Sequence, residues 1–209
     1  MSFVSICGKN TIRSTSATLL LLLLLLLTLT LPTAVEAQYT YTTNKGTITI
    51  TGYTGSGGAV TIPEIIDGMP VTSIGNSAFS GKSSVTSVTI PNSVTNIGSS
   101  AFANCTSLTH FVMPNSITSI GQYAFSYCTS LTNLAIPDSV TDLASYVVYG
   151  CSSLSNIVIP NSVTNIGFAA FYFCTNLSTI TVGTRNNLYS SLDGVLFDKS
   201  QMSSIIATT

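Results

Sequence analysis

The apolar residues of this chain fall into files that share one step. Val94, Ile117, Val140 and Val163 stand 23 residues apart, as do Ile97, Ile120, Leu143 and Ile166, and again Phe102, Phe125, Val148 and Phe171. Further files run from Leu108, Phe111 and Met113 with the same spacing. Prolines 91, 114, 137 and 160 and cysteines 105, 128, 151 and 174 keep the period, which divides residues 91–182 into four equal units. An earlier unit, residues 63–90, is five residues longer. The stretch beginning IPNSVTNIG at Ile90 returns nearly unchanged at Ile159. A strict period between 20 and 50 residues predicts a solenoid, in which no unit buries its apolar face alone and stacked units share one core.

Each unit contains a segment such as LTNLAIP, from Leu131, where apolar and polar residues alternate with period two, the pattern of a half-buried strand. Equivalent strands of successive units would lie parallel, about 4.8 Å apart. Pro-Asn-Ser or Pro-Asp-Ser then closes the strand, because proline cannot donate to a ladder and Asn or Asp favours a turn. VTNIG is a second short extended run ended by glycine. SSAFANC is too short for a helix that stands by itself, and predicts a single helical or 3₁₀ turn.

The run L-x-x-[FLI]-x-[MIV] at Leu108, Leu131, Leu154 and Leu177, followed by I-P-x-S-V-T-x-I-G-x-x-A-F-x-x-C-T-S-L, resembles the BspA-like branch of the leucine-rich-repeat family over residues 62–182. The resemblance implies a stack of about five coils. A parallel β-sheet would line one face, short strands and 3₁₀ or helical turns the other, with β-hairpin caps. It also implies a secreted or cell-surface protein that binds or adheres to an extracellular or cell-surface protein. Three departures stand out. The asparagine that follows the strand in ordinary leucine-rich repeats gives way to the Pro-Asn/Asp-Ser turn, so horseshoe curvature does not carry over. One unit reads LASYVVYGC where the others read IGxxAFxxC, and Lys82 occupies the cysteine file in the first unit.

The ends read differently from the repeats. Residues 1–37 carry Lys9 and Arg13, an unbroken leucine run from Leu19 to Leu27, Pro32, and Val35 and Ala37 placed for cleavage before Gln38, the layout of a secretory signal peptide. The rival reading is a retained anchor, since residues 14–35 are uncharged over 22 positions. Residues 38–62 predict an N-terminal hairpin cap turning at Asn44-Lys45-Gly46. Residues 63–182 form the solenoid, and residues 183–209 a C-terminal hairpin or truncated cap turning at Asp193-Gly194. A final unit left incomplete suggests a truncated or minimal member of its family.

Composition narrows the function. Charged residues make up 6% of the chain and the formal net charge is −1, so there is no basic patch to replace the counterions of a nucleic acid. Four regularly spaced cysteines in an exported chain invite disulfides, but each lies among Phe and Leu files, which favours small buried thiols. A 23-residue spacing also suits no metal site, and no cofactor motif occurs. His110, the only histidine, stands in an outward file with Asn133, Asn156 and Thr179, without a partner acid or nucleophile that would make a catalytic group. The expectation is a monomeric binding module and no enzyme. Its contact surface would be the outward apolar stripe Val112, Ala135 and Val158 flanked by His110, Asn133 and Asn156. The alternative surface is the file Thr72, Thr95, Thr118, Thr141 and Thr164, which as a flat hydroxyl array would bind ice or a crystalline polysaccharide.

Overall fold

One period makes one coil, so equivalent residues of successive coils meet directly. The computed structural model describes residues 38–200 together with the backbone of 203–206, and the expected leader at 1–37 lies outside the described residues. The chain opens with β1 (Tyr39–Asn44) and β2 (Thr47–Tyr53), an antiparallel hairpin whose turn residues Lys45 and Gly46 both have positive φ, 48° and 80°. That geometry matches the right-handed twist of the two strands. The hairpin is more than a lid. β2 pairs in parallel with β5 (Met69–Ile74), and β3 (Gly58–Thr61) pairs in parallel with β6 (Val85–Thr89), so residues 47–61 already form a coil. The five extra residues of the first unit fold into a second small hairpin, β4 (Ile65–Ile66) against the start of β5, around Asp67 and Gly68.

Two parallel sheets then grow together. β5 continues into β7 (Asn96–Ile97), with Ile74 opposite Ile97, while β6 continues into β8 (His110–Val112), with Val88 opposite Phe111. β9 (Ser119–Ile120) extends the first sheet. Further along, β10 (Asn133–Ala135), β12 (Asn156–Ile159) and β14 (Thr179–Val182) form one sheet, and β11 (Asp142–Leu143) and β13 (Asn165–Ile166) another. The expected inward files are buried, Ile166 alone being only half-buried, and they form one core running from Tyr39 to Leu196. Its spine is a pile of rings: Tyr53, Phe79, Phe102 and Phe125 stack at 5.0, 4.9 and 5.6 Å, with Phe111 edge-on between the last two.

The third side of each coil corrects the expectation of a helical or 3₁₀ turn. Around Phe102, the amides of Ala101, Ala103 and Cys105 bond back three residues to Gly98, Ser100 and Phe102. The alternate amides of Ser100, Phe102 and Asn104 donate instead to Gln122, Ala124 and Ser126 of the next coil, at 2.8 Å each. Ser100 and Asn104 take positive φ, 55° and 59°, to aim them there. A helical turn would leave its terminal groups without partners, whereas this zigzag of tight turns gives each amide one and stitches the coils on a third side.

Between the coils of β9 and β11 the stack has a seam. Among the described residues no ladder joins β8 to β10 or β9 to β11. Ala144 explains it. Its file is otherwise Gly75, Gly98, Gly121 and Gly167, and a Cβ on Gly98, Gly121 or Gly167 would come within 2.7, 2.5 and 2.3 Å of the backbone nitrogen in the preceding coil. A methyl group at this position, as Ala144 carries, is incompatible with the close approach the glycines make, which accounts for the missing ladder between β9 and β11. On the turn side the joint stays closed, with Phe125 and Tyr127 donating to Val147 and Tyr149 at 2.9 and 2.7 Å.

The far end is plugged by side chains. Buried Asn186 donates from Nδ2 to the carbonyls of Pro160 and Val163 and accepts at Oδ1 from the amides of Leu188 and Tyr189, all at 2.9 Å. The Tyr189 hydroxyl accepts from Ile166 N–H, and Ser191 Oγ from Val182 N–H. These bonds occupy groups that another coil would have used, which blunts an open sheet edge. β15 (Tyr189–Leu192), β16 (Val195–Asp198) and β17 (Ser203–Ile206) complete an antiparallel cap, with Asp193 and Gly194 at the expected turn. No helix among the described residues is long and apolar enough to cross a membrane.

Candidate functional site

Strand alternation sets the sheet-face surface. In β8, β10 and β12 the middle side chains Phe111, Leu134 and Ile157 are buried, which turns His110, Val112, Asn133, Ala135, Asn156 and Val158 outward. Val112 is 66% exposed and Val158 47%, while Asn156 is half-buried. Asn133 pairs with Asn156 and Ala135 with Val158 in register. His110 and Val112 belong to the sheet on the other side of the seam, so the stripe is not one continuous ladder. A shallow groove of about 330 Å³ runs beside it, lined by Met113, Asn115, Ala135, Asp138, Val158 and Asn161. The His110 ring meets the Thr109 hydroxyl at 3.0 Å through Nδ1.

The threonine and cysteine files are largely turned to structural use. Thr95, Thr118 and Thr164 donate their hydroxyls to the carbonyls of Thr72, Thr95 and Thr141 one coil earlier, at 3.3–3.4 Å. Thr141, at the seam, turns to Asp142 instead, at 2.6 Å. The cysteines are free and buried. Cys105, Cys128, Cys151 and Cys174 each donate from Sγ to a carbonyl of the preceding coil, at 3.0–3.1 Å. Burial pushes the Cys105 and Cys174 thiols up to about 12, so they hold their protons and are poor nucleophiles.

A third surface escaped the sequence reading. Tyr123, Tyr127, Tyr146, Tyr149, Phe168, Tyr172 and Phe173 project from the turn side of three consecutive coils in mutual contact. Tyr123 and Tyr146 stack across the seam, 4.6 Å apart and within 4° of parallel. Phe168, Tyr172 and Phe173, in the last of the three coils, are 74%, 58% and 54% exposed. Tyr123, Tyr127, Tyr146 and Phe173 all sit at φ between 56° and 60°. Positive φ is unfavourable for bulky side chains, and the same files carry Ser77, Gly81, Ser100 and Asn104 earlier in the stack. The change within those files, from small polar residues to aromatic ones, is the signal that tabulating outward positions would have found. The neighbouring Tyr127 hydroxyl raises the Tyr149 pKa above its usual value.

Comparisons with known proteins agree with this geometry. The model for the BspA type leucine rich repeat region matches residues 69–206 in six copies. The T. pallidum leucine-rich repeat protein TpLRR is 37% identical, over 69% of this chain and 68% of that one, with a TM-score of 0.67. A leucine-rich repeat protein of Eubacterium ventriosum is 29% identical over 75% of this chain and 45% of its own, with a TM-score of 0.55. A leucine rich cell surface protein of Faecalibacterium prausnitzii is 33% identical over 78% of this chain and 57% of its own, with a TM-score of 0.48. No curated protein matches the chain. With the repeat model covering most of its length and the coils built as the files predict, the chain belongs to the BspA-type leucine-rich repeat family.

Proposed function

We propose that this chain is an exported, monomeric binding module that adheres to an extracellular or cell-surface protein through its sheet face and performs no chemistry. The observation that carries the reading is the pair Val112 and Val158, two large apolar side chains left exposed beside a groove on strands whose inward neighbours are buried. Exposed apolar surface ringed by polar groups is what a partner covers. Here His110, Asn133 and Asn156 supply the ring. Export is supported by the leucine-rich start of the chain. The threonine file supports an ice- or glycan-binding surface less well. Most of its hydroxyl protons are already given to backbone carbonyls, and the seam interrupts its spacing.

The test is binding to extracellular proteins by the parent chain and by Val112→Glu and Val158→Glu. Each change sets a charge in the stripe without touching the core, and desolvating an unpaired charge at an interface is costly. Both variants should keep the parent's unfolding midpoint and lose at least tenfold in affinity. Undiminished affinity in both would remove the sheet face from the reading.

A further inference from the structure

We propose that the aromatic cluster on the turn side is a second binding surface, a track for a neutral linear polysaccharide. Four observations point to that occupant. First, the segments that build the track, residues 121–128, 144–151 and 167–175, contain no Asp, Glu, Lys or Arg. Such a surface offers nothing to a polyanion or a polycation, because recognition of charge needs opposite charge. Second, its side chains are amphipathic. Tyr and Phe rings present apolar faces and edges, and the tyrosine hydroxyls, with Gln122 and Ser145 among them, both donate and accept. Sugar rings are built the same way, with apolar C–H faces edged by hydroxyls. Third, rings follow one another on successive coils in steps of 22 or 23 residues. Tyr123, Tyr146 and Phe168 succeed one another at 4.6 and 5.6 Å, and Tyr127, Tyr149 and Tyr172 at 5.3 and 6.0 Å. A periodic surface suits a ligand that is itself periodic, whereas a folded protein offers no matching repeat.

The fourth observation is strain. Serine, glycine or asparagine accepts the positive φ at Tyr123, Tyr127, Tyr146 and Phe173 far more readily than tyrosine or phenylalanine, and the earlier coils use them. Strained backbone held at an exposed site is a mark of function. Packing explains part of the cluster, since Tyr123 on Tyr146 and Tyr127 against Tyr149 bridge the seam. It does not explain Phe168, Tyr172 and Phe173, which lie one coil beyond the seam and are the most exposed of the seven.

The experiment uses the full chain and a triple variant, Phe168→Ser, Tyr172→Ser and Phe173→Asn, each change taken from the same file elsewhere in the stack. Adsorption is measured on insoluble cellulose, on β-1,3-glucan and on mannan, with anionic alginate gel as the charged control. Retention on at least one neutral glycan and not on alginate is expected. The triple variant should lose at least tenfold in partition while its unfolding midpoint stays level or rises, because Phe173→Asn relieves an unfavourable φ. Val112→Glu and Val158→Glu should leave glycan retention unchanged, which separates this surface from the sheet face. The proposal is overturned if no neutral glycan retains the chain, if alginate retains it equally, or if the triple variant adsorbs like the parent. Should the triple variant fail to fold, Phe173→Asn alone decides, with loss of retention supporting the track and full retention refuting it.

Discussion

Replacing Ala144 by glycine should stabilise this protein, although the same change within a strand or helix ordinarily costs about 0.5–1 kcal/mol in backbone entropy. The reason is the seam. At the other joints on this side of the stack two amides cross to the preceding coil. Thr95, Thr118 and Thr164 donate to Thr72, Thr95 and Thr141 at 2.8–2.9 Å, and Gly98, Gly121 and Gly167 to Ile74, Ile97 and Leu143 at 2.7–2.8 Å. Neither of the corresponding bonds, from Thr141 to Thr118 or from Ala144 to Ile120, is made. Removing the methyl group lets the coils close to the spacing of the other joints. Two recovered backbone hydrogen bonds are worth about 1–3 kcal/mol together. Set against the entropy term, the expected net gain is about 1 kcal/mol, with further gain if β8 and β10 also pair. The assay is urea unfolding of parent and variant at equal slope, with amide exchange at residues 141 and 144 followed separately. A higher midpoint with both amides newly protected is expected. A midpoint lowered by about 1 kcal/mol, with those amides still exchanging freely, would refute the steric account of the seam.

Other consequences of the packing can be checked in the same way. Leu131→Ala empties a fully buried site and should cost about 2–5 kcal/mol, while Thr132→Ala next to it should stay within about 0.5 kcal/mol; matching midpoint shifts would mean that the strand's inward face is misassigned. Asn186→Ala strips partners from two carbonyls and two amides at a buried end, and should lower stability by about 2–4 kcal/mol; a shift below 0.5 kcal/mol (roughly the effect of an ordinary surface change) would show that the plug is dispensable. In the unfolded, unreduced protein Cys105, Cys128, Cys151 and Cys174 should all take up a thiol reagent, and labelling of two or none of them would reveal stapled coils. Because burial raises Cys105 and Cys174 from 9.0 to about 12, the unfolded chain releases those protons first. Their contribution is therefore intact below about pH 9 and fades as pH rises towards 12; an unfolding midpoint flat across that window would contradict the burial.

The coil was legible because burial follows the files. Val94, Phe102, Leu108 and Phe111 with their 23-residue successors needed only the period and the alternation to be placed inside. The turn segment was not legible to the same degree. SSAFANC carries helix-compatible residues, and its zigzag depends on amides that find partners a whole coil away, which local propensity does not register. LASYVVYGC was visible as an irregular unit, but the damage done by one methyl group at Ala144 required the backbone approach at Gly121 and Gly167 to be measured. Nothing in the run Arg185-Asn186-Asn187 marks Asn186 as special, and its role as a plug rests on the carbonyls of Pro160 and Val163 a whole coil away. On the sheet face the outward positions were read correctly from period two. The aromatic cluster went unread because its residues belong to a segment whose alternation is set by turns, not by a strand.

The plug at Asn186 and the hairpin at Tyr39–Tyr53 act as bookends, and that bears on how such a chain changes length. The coils between them bond chiefly through steps of 22, 23 or 26 residues, as Ser116 does to Val94, Thr118 to Thr95 and Cys128 to Phe102. Excising or duplicating one whole period leaves every such bond with a successor of the same kind, while a change of one residue more or less throws each file out of line. Recombination between near-identical stretches, such as those starting at Ile90 and Ile159, makes changes in whole periods. Copy number is therefore a variable that this architecture leaves free, and the two bookends are what any shortened or lengthened descendant has to keep.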